Sequence, residues 1–261
     1  MQFNIIENID IIEGIEKLNS DSCDLIIADP PFNQKKEHIY KEIKDDIAPE
    51  EYYDWCEEWI KNGFRILKET GSFWIYINSK HLGRLQTIMA KYGIWQNTIV
   101  WHYSNPTPDI KRFPKTWSAF LFFSKTENFT FHPQAEEDRS FGRNEGKTRM
   151  SDIWEDTPKL TGGFLAQNEV ILYPNEFKRI FPYQLPMKLI SRIIKFCSSP
   201  NDVIIDLFAH SGTTSVCSLL LKRNSMAIEK SAFFVKEAQK RIERSQFGFF
   251  KDFKKNNENN N

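Results

Sequence analysis

Short apolar runs that each end at a polar residue recur along the chain and predict buried β-strands. They cover residues 24–28, 72–78, 98–103, 119–123, 203–207 and 226–228. Stretches with the apolar spacing of helices lie between and after them, at residues 51–67, 81–92, 185–196 and 215–221. Gly93 is a suitable C-cap for the second of these helices. Strands that alternate with helices predict an α/β fold with a mostly parallel, doubly wound sheet.

The pattern breaks between about residues 127 and 181, where charges, prolines and glycines interrupt every period. We expect this region to consist of loops and short elements inserted into a single domain that spans residues 1–250. Residues 251–261 form a polar tail of low complexity, which predicts disorder.

The charge balance limits the classes of partner. Lys and Arg number 35, as do Asp and Glu, so a protein that binds nucleic acid by bulk charge is excluded and any such contact must be local. No apolar stretch reaches the ~20 residues of a membrane span, and the N-terminus lacks the features of a signal peptide. The four cysteines show no CxxC spacing. We therefore expect a reduced, cytoplasmic protein without a metal site and without a membrane contact.

One motif follows the predicted strand at residues 24–28 and reads Asp29-Pro30-Pro31-Phe32. Consecutive prolines fix the backbone and remove two N–H donors, so the Asp29 carboxylate and the Pro30 carbonyl can converge on one point as acceptors. Two acceptors suit an aromatic amino group, whose lone pair is otherwise delocalised into its ring, and Phe32 can stack on that ring. The alternative is an ordinary proline-rich turn, which is the more frequent outcome for this motif by itself.

A second motif combines a predicted strand, a turn of small residues and a helix N-terminus, in the sequence Asp206-Leu207-Phe208-Ala209-His210-Ser211-Gly212-Thr213. Free N–H groups and the helix dipole at such a turn face a polar ligand, as in nucleotide sites. The glycine spacing is not that of a dinucleotide site, and the P-loop lysine is absent. Glu229 ends the next predicted strand. A carboxylate at such a strand end can bind the ribose hydroxyls of a nucleotide. The alternative interpretation is that Glu229 is a charged residue on the surface.

Together the two motifs resemble those of the β-class N6-adenine and N4-cytosine DNA methyltransferases, in which the catalytic motif precedes the cofactor motif in a circularly permuted order. The resemblance covers about residues 3–245 and implies that about residues 127–181 are an inserted target-recognition region. It implies a Rossmann-like methyltransferase fold, S-adenosylmethionine as cofactor, and double-stranded DNA as substrate. It also implies that the catalytic residues are Asp29, Pro30, Pro31 and Phe32. The cofactor contacts that it implies are Asp10, Ile11, Asp29, Asp206, Phe208, His210, Ser211, Gly212, Thr213 and Glu229.

One departure from the family concerns His210, where relatives usually carry glycine. The position is expected to adopt a positive φ, which histidine tolerates better than most residues.

The resemblance gives two conflicting indications of the target base. Asp-Pro-Pro usually accompanies adenine enzymes, whereas the block from Phe181-Pro182 through Leu185-Pro186 to Ile190 resembles that of N4-cytosine members. The block spans more positions, so cytosine N4 is favoured and adenine N6 remains the alternative. The target base must leave the duplex to reach Asp29.

Basic residues in the irregular middle of the chain are the candidates for DNA contact: Lys111, Arg112, Lys115, Arg139, Arg143, Lys147 and Arg149. An RNA or small-molecule methyltransferase and a non-catalytic DNA-binding module are the more distant alternatives. The resemblance leaves two partners open: a second copy of the chain in a homodimer, and a cognate restriction endonuclease acting on the same site.

Overall fold

A computed structural model describes residues 3–34, 47–107, 110–133, 150–160, 169–173 and 178–246. Its β-strands are β1 (Ile5–Asn8), β2 (Cys23–Ala28), β3 (Leu67–Ile77), β4 (Ile94–Thr107), β5 (Lys115–Ser124), β6 (Ile153–Trp154), β7 (Val203–Asp206) and β8 (Asn224–Glu229). Its helices are α1 (Ile11–Glu16), α2 (Pro49–Ile66), α3 (Leu82–Met89), α4 (Met187–Cys197), α5 (Thr213–Leu220) and α6 (Ala232–Gln246).

The eight strands form one sheet in the order β1-β8-β7-β2-β3-β5-β4-β6. All neighbours pair in parallel except β5, which is antiparallel to β3 and to β4. Seven strands therefore point in one direction and only β5 is reversed. This arrangement confirms the prediction of a mostly parallel α/β sheet.

Helices cover both faces of the sheet, so the central strands are apolar on both sides. Along β2, Leu25 and Ile27 face a core shared with α4, α5 and α6, whereas Ile26 and Ala28 face a core shared with α1, α2 and α3. This two-sided burial explains why the strand reads as a continuous apolar run, and it makes the fold doubly wound as predicted.

The structure corrects the role assigned to Gly93. Helix α3 ends at Met89, and Gly93 is not in the left-handed conformation of a typical C-cap. A side chain at Gly93 would instead collide with the ring of Phe64 and approach the carbonyl oxygen of Ser124 to 2.8 Å. Glycine is needed here because α2 and the sheet pass close to the chain.

Within the described parts of residues 127–181, β6 is the one strand that belongs to the sheet, and Leu172 and Arg179 form an isolated bridge. Trp154 of β6 packs on Trp74 and is covered by the guanidinium of Arg192, which Asp156 holds with two hydrogen bonds of 3.1 and 2.7 Å. The region is therefore anchored to the sheet and to α4. Its role in target recognition stays a prediction, and the tail at residues 251–261 lies outside the described residues.

Candidate active site

The carboxyl ends of four neighbouring strands bring the predicted site residues together. Asp10 follows β1, Glu229 ends β8, Asp206 ends β7 and Asp29 follows β2. Because parallel strands end at the same edge of a sheet, the two sequence motifs meet there although about 180 residues separate them. Ile27 of β2 lies opposite Asp206 of β7, which places the two acids on adjacent strand ends.

The pKa values of three carboxyl groups at this edge are raised, because burial disfavours their ionised forms. Burial, and then the charge of Asp206, raise the pKa of Asp29 well above its usual range. Burial raises the pKa of Asp206 to about 6, against the lowering effect of hydrogen bonds from Thr214 and from the Phe208 N–H. Burial also raises the pKa of Glu229. A positively charged ligand at this edge would stabilise the ionised forms of these carboxyl groups.

The turn after β7 is held in an unusual backbone conformation. His210 has a φ of 40° and Gly212 a φ of 67°, which confirms the expectation that the His210 position requires a positive φ. Gly212 leads directly into α5 and a side chain there would meet the Cβ of Ala238 at 3.2 Å. The turn thus presents the N-terminus of α5 at the edge that carries the acids.

Two buried residues with ionisable side chains, Glu229 and Arg241, hold the turn by hydrogen bonds. The His210 N–H donates to Oε2 of Glu229 at 2.8 Å, and the Ser231 N–H donates to Oε1 at 2.8 Å. Arg241 donates from Nη1 to the Ser211 carbonyl oxygen at 2.9 Å and to Oγ1 of Thr213 at 2.8 Å. Glu229 is only 8% exposed, which argues against its alternative interpretation as a solvated surface charge.

Each oxygen of Glu229 accepts one of these N–H groups, and a carboxylate oxygen can accept a second hydrogen bond. Glu229 can therefore hold the turn and bind hydroxyl groups at the same time.

Three further predicted cofactor residues, Asp10, Ile11 and Phe208, are held in place by their neighbours. Asp10 caps α1 by accepting from the Ile12 N–H at 3.1 Å, and Lys230 donates to it at 3.0 Å. Ile11 is 5% exposed and packs in the core with α2. The ring of Phe208 is partly buried and meets Trp55 and Trp59 edge to face, at centroid distances of 5.8 and 5.3 Å. These contacts fix the edges of the site against the helices of one face.

These groups fit S-adenosylmethionine by their chemistry. Buried acids with raised pKa values suit its positively charged sulfur and ammonium groups, Glu229 suits ribose hydroxyls, and the N-terminus of α5 suits a carboxylate. Among the described residues no cluster of three or more His, Cys, Asp or Glu side chains is arranged to hold a metal ion. In the same part of the chain no helix is long and apolar enough to cross a membrane.

Comparison with known proteins decides the family. The N6/N4 family model described as DNA methylase matches residues 23–240. The chain belongs to the N6/N4 DNA methylase family. It is therefore a DNA methyltransferase that acts on exocyclic amino groups and uses S-adenosylmethionine.

Individual relatives agree with this assignment. The type II methyltransferase M.HinfI of Haemophilus influenzae is 30% identical over 256 residues, which are 92% of this chain and 68% of that protein. The PvuII cytosine-N4-specific DNA methyltransferase has a TM-score of 0.70 at 17% identity, over 94% of this chain and 91% of that one. The M1.HpyAVI complex with S-adenosylmethionine has a TM-score of 0.61 at 21% identity, over 91% and 98%. The structural likenesses confirm the Rossmann-like fold.

In this methyltransferase the side of Asp29 away from the turn after β7 is lined by aromatic and hydroxyl groups. The Phe32 ring lies 5.8 Å from that of Tyr76 on β3. Burial and then the charge of Asp29 raise the pKa of the Tyr76 hydroxyl, and Ser118 on β5 partly offsets this rise. The Tyr103 hydroxyl lies 3.4 Å from Oγ of Ser118. We call the four side chains of Phe32, Tyr76, Tyr103 and Ser118 the aromatic wall.

The sequence motifs identify only Phe32 of the aromatic wall, because Tyr76, Tyr103 and Ser118 come from three different strands of the sheet. The signal that could have found it is their position: Tyr76 and Tyr103 stand near the carboxyl ends of the strands that follow the catalytic motif.

His81 is a further residue that the motifs do not reveal. It is 2% exposed at the start of α3, and its Nε2 lies 2.7 Å from the Phe32 carbonyl oxygen, while its Nδ1 lies 2.8 Å from the Tyr53 hydroxyl. A carbonyl only accepts, so Nε2 carries the proton and Nδ1 accepts from Tyr53. The Tyr52 hydroxyl donates to the Pro31 carbonyl oxygen at 2.9 Å. These bonds fix the backbone of the catalytic motif from behind.

Substituting His81 tests this support. His81→Gln places an N–H donor near the position of Nε2 and is expected to retain most activity, whereas His81→Asn places its amide near Nδ1. We expect His81→Asn to lower kcat roughly tenfold, because it loses a hydrogen bond worth about 0.5–1.5 kcal/mol and misplaces Phe32. Steady-state kinetics should show an unchanged KM for S-adenosylmethionine. Equal losses in both variants would mean that His81 only fills space.

Proposed function

We propose that the methyltransferase modifies a base flipped out of duplex DNA, and that Asp29, Pro30, Pro31 and Phe32 form its catalytic site. The observation that carries this proposal is the position of Asp29, which lies beside Asp206 at the cofactor edge and beside Tyr76 of the aromatic wall. A planar base held by Phe32 would place its amino group next to the Asp29 carboxylate. Within the duplex that amino group is paired, so the nucleotide must be extruded.

Asp29 and the Pro30 carbonyl oxygen act as hydrogen-bond acceptors for the two N–H bonds of the amino group. Holding both bonds favours a more tetrahedral nitrogen whose lone pair is available for attack. Bound S-adenosylmethionine supplies a methyl group activated by positively charged sulfur. The nitrogen must lose one proton as it is methylated, and Asp29 is placed to accept it.

The cofactor is held, in this proposal, by the remaining predicted residues. Glu229 binds the ribose, Asp10 and Ile11 border the adenine, and Asp206 faces the positively charged groups. The turn contributes Phe208, His210, Ser211, Gly212 and Thr213. Support comes from the burial of Glu229 and from the positive φ angles that aim this turn at the site.

We favour cytosine N4 as the methylated position, and the resemblance of residues 181–190 supports that choice. In the structure the Phe181 ring packs on His210 at 5.3 Å, and the Leu185 carbonyl oxygen accepts from Thr213 at 3.5 Å. The block therefore lies against the turn after β7, on the side of the site where the cofactor is proposed to bind. Adenine N6 remains the second candidate because of the Asp29-Pro30-Pro31 sequence.

One experiment tests both the identity of the methylated base and base flipping from a duplex. The purified enzyme is incubated with duplex DNA and S-adenosylmethionine, the DNA is digested to nucleosides, and the product is identified by mass spectrometry. We expect N4-methylcytosine. N6-methyladenine alone would contradict the cytosine assignment and leave the catalytic site standing. Methylation of single-stranded DNA or RNA but not of duplex DNA would contradict base flipping from a duplex.

Protein and DNA partners follow from the same proposal. Lys111, Arg112 and Lys115 are exposed and are proposed to bind DNA phosphates; Arg139, Arg143, Lys147 and Arg149 lie outside the described residues and keep that role as a prediction. The type II name of M.HinfI supports a cognate restriction endonuclease. A homodimer stays a hypothesis, and a DNA substrate supports a cytoplasmic location.

A further inference from the structure

Two large apolar side chains are exposed to solvent in the segment that leads into β5. Strands β4 and β5 are antiparallel and their pairing reaches Thr107 opposite Lys115. Among residues 110–115, Ile110 is fully exposed and Phe113 is 96% exposed. Burial of apolar side chains is stabilising, and the isolated protein does not gain this stabilisation from Ile110 and Phe113. This surface is therefore suited to a partner that covers it.

The charges around these two residues identify the class of partner. The segment reads Ile110-Lys-Arg-Phe113-Pro-Lys115, with three basic residues and no acid, in a chain whose net charge is zero. Exposed basic residues that alternate with an apolar and an aromatic side chain fit a polyanion with stacked rings, which is the chemistry of nucleic acid. An apolar protein groove would not need this charge.

The direction of the strands places the segment over the active site. Strand β4 runs parallel to β2 and β3, so its end and the start of β5 lie at the edge that carries Asp29. Tyr103 of the aromatic wall belongs to β4, and three residues separate it from Thr107. The register shifts between His102 and Thr107, because Thr107 pairs with Lys115, so the chain bulges beyond Tyr103 before β5 begins. Residues 110–115 therefore lie at the sheet edge that DNA must approach to reach Asp29.

We propose that Phe113 inserts into the duplex at the position that the target base leaves, while Lys111, Arg112 and Lys115 hold the flanking phosphates. This proposal rests on base flipping by the proposed function. Unstacking a base costs free energy, and an aromatic ring stacked on a neighbouring base offsets part of that cost. Apolar side chains that enter base steps are a known means of stabilising distorted DNA.

Phe113 suits the task better than Ile110. Its flat ring can stack on bases, and Pro114, which follows it, restricts the backbone and so reduces the entropy lost on insertion. Ile110 provides a matched control because it is equally exposed, apolar and three residues away.

The test compares two duplexes that contain the site methylated by the wild-type enzyme, as identified by sequencing modified DNA. One is fully paired, and the other has an abasic position opposite the target base. Phe113→Ala should lower kcat/KM at least tenfold on the paired duplex and less than threefold on the other, because an unpaired base flips without help. Ile110→Ala should lower it less than threefold on both. Calorimetry with S-adenosylmethionine and thermal melting should show unchanged cofactor affinity and stability.

A double variant, Lys111→Ala with Arg112→Ala, separates insertion from phosphate binding. It should weaken binding to both duplexes equally and flatten the salt dependence of the affinity. Phe113→Ala losing equal activity on both duplexes, or none, would overturn the proposal. A loss of activity in Ile110→Ala that is restored on the abasic duplex would also overturn the proposal. A wild-type enzyme that methylates no duplex DNA would instead contradict the proposed function itself.

Discussion

Replacing Asp29 by alanine is expected to abolish methyl transfer and to leave cofactor binding largely intact. The carboxylate is the acceptor that faces the amino group, whereas Glu229 and the turn after β7 carry the ribose and the carboxylate of the cofactor in the proposed site. Removing such a group typically lowers the rate by ~100-fold or more. Transfer of a radioactive methyl group to duplex DNA measures the rate, and calorimetry measures the affinity for S-adenosylmethionine.

Turnover above about one per cent of wild type would exclude Asp29 from catalysis. The pH profile of the wild-type enzyme gives a second readout. Burial and Asp206 raise the pKa of Asp29, so the ionised acceptor is lost at a higher pH than for an ordinary aspartate as the pH falls. We expect kcat/KM to decrease on the acidic side through that raised pKa, and Asp29→Ala to lack this dependence in its residual activity.

Replacing Glu229 by alanine is expected to weaken cofactor binding by about 1–3 kcal/mol, or roughly 5- to 150-fold, since hydrogen bonds to a buried charged group are lost. The variant also removes the acceptors of the His210 and Ser231 N–H groups, so the turn loses one of its two braces. Titration calorimetry with S-adenosylmethionine measures the effect directly.

Glu229→Gln is the matched control, because its amide oxygen can still accept one of the two N–H groups. Its affinity should lie between those of Glu229→Ala and wild type, with a melting temperature closer to wild type. A dissociation constant unchanged in Glu229→Ala would contradict ribose binding by this carboxylate.

The sequence predicted the elements whose signals are local. β2 and β7 are buried on both faces and read as apolar runs that end in an acid, so both halves of the active-site edge could be located. By contrast, β1 was not predicted, because only Ile6 of its four residues is buried. Helix α6 escaped notice for a related reason: the fully buried Arg241 interrupts its apolar face.

Contacts between distant residues could not be predicted in the same way. His81 supports the Phe32 carbonyl across 49 positions of sequence, and nothing in either local pattern indicates the other. The aromatic wall likewise depends on β5 inserting between β3 and β4, so that Ser118 meets Tyr76 and Tyr103. Family resemblance gave the motifs, and only the sheet order shows which side chains surround them.

The pairing of β1 with β8 has a consequence for the synthesis of the enzyme. Ile5 lies opposite Met226, and the Asn8 side chain donates to the Glu229 carbonyl oxygen, 221 residues along the chain. At about 5–20 residues per second a ribosome needs roughly 10 to 45 s to cover that separation. During this time β1 has no partner strand. A nascent chain therefore carries Asp29 and residues 110–115 long before the turn after β7 and Glu229 have been synthesised.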